Sequence, residues 1–148
     1  MDLEPNYEVE LLKNKHLICR NSRFCMAKDI GTHKNIFGAV LMAECDNVCA
    51  VFAAEVCDTP LIVTRTMDIE FISPVKENQI FKTYVGIEKI GNSSITLLVE
   101  IRKHSVHTEK ETLVLKARTV FVRIDEEGNP IMINDNVRNK YGYEKVGK

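Results

Sequence analysis

Residues 35–54, NIFGAVLMAECDNVCAVFAA, decide the fold. The stretch is small and apolar, has no proline, and carries a single glycine near its start, so it reads as one long helix built for burial. A carboxylate, Asp46, stands in its middle. At 100° per residue Glu44, Asn47, Val51 and Glu55 share a narrow stripe, the expected solvent face, and Asp46 falls almost opposite it. Its helical neighbours include Ala39, Met42, Ala43, Cys49, Ala50 and Ala53, which points the carboxylate at the core. An unpaired charge there costs several kcal/mol, so Asp46 must be paired, protonated, or part of a cavity that admits solvent and ligand. Two readings stay open: a structural aspartate holding a backbone amide or Arg65, whose parity matches Met67, and a functional one.

Upstream of the helix, residues 17–27, LICRNSRFCMA, read as a strand that ends before the turn residues Asp29 to Thr32. Downstream, after Asp58-Thr59-Pro60, the period changes from 3.6 to 2. In TMDIEFI, Met67, Ile69 and Phe71 alternate with Thr66, Asp68 and Glu70, the pattern of a strand with one buried face. Pro74 ends it. The run from Gln79 to Ile90, the Gly91-Asn92 turn and SITLLVEIRK make a hairpin. A last strand runs from about Thr112 to Ile124; its apolar set slips parity near Arg118 and Thr119, which predicts a β-bulge there. The turn DEEGNP closes it. One strand, one long helix and four strands with short connections predict an α+β chain, a mainly antiparallel five-stranded sheet packed on a single helix.

The 148 residues suit one domain, placed at 16–133, with a polar segment 1–15 and a polar tail 134–148 outside the core. Twenty basic against 21 acidic residues give no bulk attraction to nucleic acid or anionic membrane, and no helix-turn-helix segment is evident. Glu44, Asp46, Asn47 and Glu55 interrupt the apolar run from Gly38 to Cys57, which argues against a membrane span. Five cysteines without a CxxC pair, and a start, MDLEPNYEVE, unlike a signal peptide, suit a soluble protein of the reducing cytoplasm. Cys45 and Cys49 are an i,i+4 pair, but no further His or Cys completes a ligand set, so core packing is expected and no metal.

The segment NIFGAVLMAECD resembles the loop-to-helix segment of hot-dog-fold acyl-CoA thioesterases of the YciA and acyl-CoA hydrolase type. The likeness runs from about Phe24 to Pro130, with Glu70-Phe71-Ile72-Ser73-Pro74-Val75 matching the family's strand end and DEEGNP a similar turn. It implies a helix wrapped by an antiparallel sheet, hydrolysis of acyl-CoA with no cofactor beyond the substrate's own CoA, and a homodimer with composite active sites, extended to a hexamer as a trimer of dimers. Fatty acid metabolism is the implied setting. His33 stands where the family's loop has asparagine, Lys34 and Ala39 where glycine is usual, and Val48 and Cys49 replace small residues.

Thioester hydrolysis needs a base or nucleophile and donors for the developing oxyanion. Asp46 suits the first role and the amides of Gly38 and Ala39, at the helix N-terminus, suit the second. Eight residues of helix separate them, roughly 12 Å, too far to meet at one carbonyl within one chain. Two antiparallel helices across a twofold axis would bring Gly38 of one copy to Asp46 of the other. His33 is a further candidate, for orienting water or touching the thioester. Paired with the helix carboxylate, it also raises a dehydratase acting on hydroxyacyl thioesters as an alternative; a non-catalytic acyl-CoA sensor is another. For substrate contact the candidates are Asn35 and Phe37 in the loop, and the turn Gly91, Asn92, Ser93 and Ser94, whose amides the resemblance aims at pantetheine or phosphate. Lys89, Arg102 and Arg118 are candidate phosphate partners.

Overall fold

In a computed structural model the chain is described over residues 17–141. Strand β1 (Ile18–Phe24) leads through a short 3₁₀ turn (Ala27–Asp29) to helix α1 (Gly38–Cys57). Strands β2 (Ile62–Phe71), β3 (Ile80–Ile90), β4 (Ser94–His104) and β5 (Glu111–Arg123) follow, and a short helix α2 (Asp135–Lys140) ends the described chain. The sheet order is β1-β3-β4-β5-β2, every pair antiparallel, so β1 and β2 are its edges.

Helix α1 starts at Phe37, an extended N-cap residue without a side-chain cap, and stops at Asp58, which takes the left-handed conformation with φ 55°. Its N–H reaches the Ala54 carbonyl, and Pro60 lies just beyond. Leu41, Cys45, Cys49, Phe52 and Val56 are buried on the helix, spaced four, four, three and four apart, and form the stripe that lies on the sheet. Each of the larger side chains contributes roughly 1.5–3 kcal/mol by leaving water. The opposing layer is Ile95, Leu97, Val99 and Ile101 of β4 with Leu115, Ala117 and Phe121 of β5.

Three expectations are corrected. Asp46 does not point into the core: the helix is rotated so that Cys45 and Cys49 take that place, and Asp46 is half-buried on a flank. β5 has no bulge at Arg118 and Thr119; its pairing with β4 is continuous from Val122 to Leu115 and shifts at Val114, between Ile101 and Arg102. The apparent slip arises because Thr119 is a polar residue in a fully buried place that faces α1, beside Cys49. The chain also does not leave the core at residue 134. Val137 and Arg138 are buried on α2, and the Arg138 guanidinium donates to the carbonyls of Ile133, Gly91 and Asn92. A lone arginine among polar residues gives no apolar period, which is why the segment read as a tail. The part of the tail beyond residue 141, and the segment 1–15, lie outside the described residues.

Candidate active site

The loop between the 3₁₀ turn and α1 is held at several points. Phe37 N–H donates to the Asp29 carbonyl at 2.8 Å, Gly31 N–H to the Asn35 carbonyl at 2.9 Å, and Ile36 N–H to the Val75 carbonyl at 2.7 Å. The Asp29 carboxylate is 5% exposed and accepts the Met26 N–H and the Arg23 guanidinium, each at 2.9 Å. That hydrogen bond from Arg23 holds the Asp29 carboxyl below its ordinary range. Arg23 also reaches Glu44 on α1 and stacks over the Phe81 ring, its guanidinium 4.7 Å from the centroid.

At the N-terminus of α1, Asn35, Gly38, Leu41, Phe71 and Ser73 line a cleft of about 290 Å³. The first-turn amides of Gly38 and Ala39 have no partner within the helix. Asn35 Oδ1 is buried with no hydrogen-bond partner among the described residues. Further along the helix, Asp46 accepts a 2.6 Å hydrogen bond from the Thr64 hydroxyl of β2, its one side-chain hydrogen bond among the described residues. On the same flank Ala39, Met42 and Ala43 are exposed and Ala50 is half-buried, and beside them β2 is exposed over most of its length.

Thr64, not Arg65, is therefore the partner of Asp46. The β2–β5 register shifts between Thr64 and Thr66, so Arg65 is an extra residue. This bulge reverses the parity upstream: Ile62 and Thr64 share the helix-facing side with Met67, Ile69 and Phe71. The alternation of TMDIEFI carried past the bulge selects the wrong residue.

The other candidates separate into three places. His33, Asn35, Phe37, Gly38 and Ala39 gather at the helix N-terminus, with His33 and Phe37 exposed. The Gly91–Ser94 turn lies at the opposite end of the sheet: Arg123 N–H donates to the Ser93 carbonyl, and Arg123 pairs with Ile62, at the far end of β2 from Phe71. There the Asn92 carbonyl is taken by Ile133 N–H, and Gly91 N–H by the Ser94 carbonyl. Arg102 is corrected as a phosphate partner. It is 2% exposed, bonded to Glu100 at 2.6 and 2.9 Å, and stacked 3.8 Å from the Tyr84 ring centroid. Arg118 lies on the same outer face of the sheet in a two-point pair with Glu88 at 2.7 and 2.8 Å. Lys89 is exposed at the end of β3. A larger groove of about 430 Å³ runs along that outer face past Glu70, Leu98, Glu100 and Lys116, on the side of the sheet away from α1 and Asp46.

Comparison with known proteins rests on this geometry. A family model, the Thioesterase superfamily, matches residues 33–110, which include the loop, α1 with Asp46, and Thr64. The chain belongs to the thioesterase superfamily. Among members of that superfamily, it is 29% identical over 108 residues to an uncharacterized acyl-CoA thioester hydrolase of Buchnera aphidicola from Schizaphis graminum, covering 71% of this chain and 80% of that one. It is 26% identical to the acyl-CoA thioester hydrolase YciA of Salmonella typhimurium over 71% of this chain and 81% of YciA. The hexameric thioesterase y2039 of Yersinia pestis superposes with a TM-score of 0.73 at 25% identity, over 80% of this chain and 96% of that one. An acyl-CoA hydrolase of Staphylococcus aureus, solved with butyryl coenzyme A, coenzyme A and coenzyme A disulfide, gives 0.73 at 25% identity over 86% and 81%. The helix wrapped by a five-stranded antiparallel sheet is thus the hot-dog fold of these thioesterases.

Proposed function

We propose that the protein hydrolyses acyl-CoA thioesters to CoA and a free carboxylic acid, with Asp46 as the group that activates the attack. The observation that carries this reading is the Asp46 carboxylate on an open helix flank, held by the Thr64 hydroxyl alone and backed by a cleft at the N-terminus of the same helix. Asp46 either takes a proton from water as the water oxygen attacks the thioester carbonyl, or attacks that carbon itself to give a transient anhydride that water then opens. The oxyanion is met by the Gly38 and Ala39 amides. Collapse breaks the C–S bond, and the thiolate of CoA leaves and takes a proton. Water, a carboxylate and amides suffice, so the scheme uses no cofactor and no metal.

Within one chain these groups stay roughly 12 Å apart along the helix. The active unit is therefore a homodimer in which one copy's Gly38 meets the other's Asp46, and the exposed Ala39, Met42, Ala43 and the unpaired edge of β2 supply its surface. A hexamer built from three such dimers follows the hexameric relative. Among the described residues no helix is long and apolar enough to cross a membrane.

A panel of acyl-CoAs assayed for free thiol tests the activity, run on wild type and Asp46→Asn. Thiol release that disappears in the variant is expected. Enoyl product without thiol release would mean a dehydratase, binding without product a sensor. Sedimentation coupled to the same assay tests the assembly, and an active monomer would overturn the composite site.

A further inference from the structure

Asp29 and Arg23 belong to none of the groups assigned above, yet they lie directly behind them. Resting on the thioesterase reading, we propose that Asp29, held by Arg23, is the positioning residue of the site: it sets the Asn35 amide and the first-turn amides of α1 through the backbone of residues 29–37.

The path is short and continuous. The Asp29 carboxylate is fixed by Arg23 Nη1 and Met26 N–H, each at 2.9 Å. The carbonyl of the same residue receives the N–H of Phe37, the residue directly before Gly38. Between them the loop closes on itself through the Ile30 and Ile36 bridge and the Gly31–Asn35 hydrogen bond. Its outer side is pinned to residues 75 and 76. A shift of Asp29 therefore moves Phe37, the helix N-terminus and Asn35 together.

Stability alone does not call for a charged pair here. Desolvating a carboxylate cancels much of the attraction it gains, and buried ion pairs are often replaceable by apolar groups without loss. What such a pair adds is a single geometry, because Arg23 must satisfy Asp29, the Phe24 carbonyl and Glu44 at once while stacked on Phe81. The loop so fixed leaves Asn35 Oδ1 buried beside the cleft, without a donor among the described residues. That leftover acceptor is one more group whose place relative to the cleft the loop sets.

The test is steady-state hydrolysis of an acyl-CoA, with turnover per folded enzyme, KM and melting temperature measured on the same preparations. Asp29→Asn keeps the shape and one acceptor oxygen but removes the charge that Arg23 grips. Its kcat is expected to fall roughly ten- to thirtyfold with KM within about twofold. Arg23→Lys keeps a cation opposite Asp29 but not the guanidinium fork, and is expected to lose clearly less turnover than Arg23→Met. Ile95→Val, a small core truncation far from the loop, supplies a variant of lowered melting temperature with unchanged kcat. A purely structural Asp29 would behave like Ile95→Val, and kcat of Asp29→Asn within threefold of wild type overturns the proposal. Should Asp29→Asn fail to fold, loss of turnover in a folded Arg23→Lys equal to that of Arg23→Met also overturns it, since charge would then not matter. Asp46→Asn in the same assay separates the two levels. If it is inactive while Asp29→Asn is normal, only the positioning role falls; if it is fully active, the underlying mechanism falls and this role with it.

Discussion

Both flanks of α1 carry carboxylates and treat them differently. On the β1 side Glu44 takes Asn21 and Arg23, and Glu55 takes Arg20, so each carboxylate on that seam has a cationic or amide partner in its own chain. On the β2 side Asp46 has only the hydroxyl of Thr64, and its neighbours Ala39, Met42 and Ala43 are exposed. The first flank is closed by its own strand; the second is open. The helix wheel sets Asp46 almost opposite Glu44 and Glu55 but does not decide what holds each carboxylate.

The difference can be broken in order of expected effect. Asp46→Asn should lower turnover roughly a hundredfold or more, the scale of losing a positioned base, while the melting temperature stays near that of wild type. A folded, fully active variant would place Asp46 with Glu44 and Glu55 as a structural group. Next is Thr64→Val, which removes the donor and keeps the shape; turnover should fall about tenfold, measured by thiol release, and combining it with Asp46→Asn should add little further loss. On the closed flank the expected change is in stability instead. Since Arg23 holds the Asp29 carboxyl below its ordinary value, the stability from that pair is complete above about pH 4. It is lost as pH falls through the lower folded value. Melting curves from pH 7 to pH 3 should therefore show a steeper fall for wild type than for Asp29→Asn, and parallel curves would deny the pair a role. Smallest of all, Arg20→Ala should change stability by no more than about 0.5 kcal/mol in urea titrations, because its pair with Glu55 is largely exposed.

Much of this was legible from residue order. Alternation in TMDIEFI and SITLLVEIRK, and the small apolar run from Gly38, give the strand and helix order directly, because burial of one face imposes its period on the chain. Asp46 stood out as a carboxylate among small apolar residues, but its surroundings differ from those expected. Ala39 and Ala43 beside it are exposed while Ala53 is core, and composition alone does not distinguish a residue covered by its own sheet from one left open. Thr64 was hidden by the bulge at Arg65, since one inserted residue exchanges the faces of a strand. Asp29 and Arg23 were hidden because they lie six positions apart across the end of β1 and a short 3₁₀ turn, and no periodic rule reports on such a contact. The same holds for Arg102. A basic residue on an alternating strand reads as solvent-facing, whereas a Glu100 two positions earlier and a Tyr84 on the next strand give it a place inside.

Arg138 has a consequence for how the molecule breathes. Its guanidinium joins the carbonyls of Gly91 and Asn92, in the β3–β4 turn, to Ile133 and Asp135 at the start of α2, segments more than forty residues apart. With the arginine withdrawn, several acceptors lose their donor at once, so α2 is not free to fray one residue at a time as a chain end ordinarily does. Opening of this corner is one event. Amide hydrogens on both sides of it, Ile133 N–H on Asn92 and Arg123 N–H on Ser93, should then exchange with solvent deuterium at a common rate, as a single cooperative unit distinct from the sheet behind it.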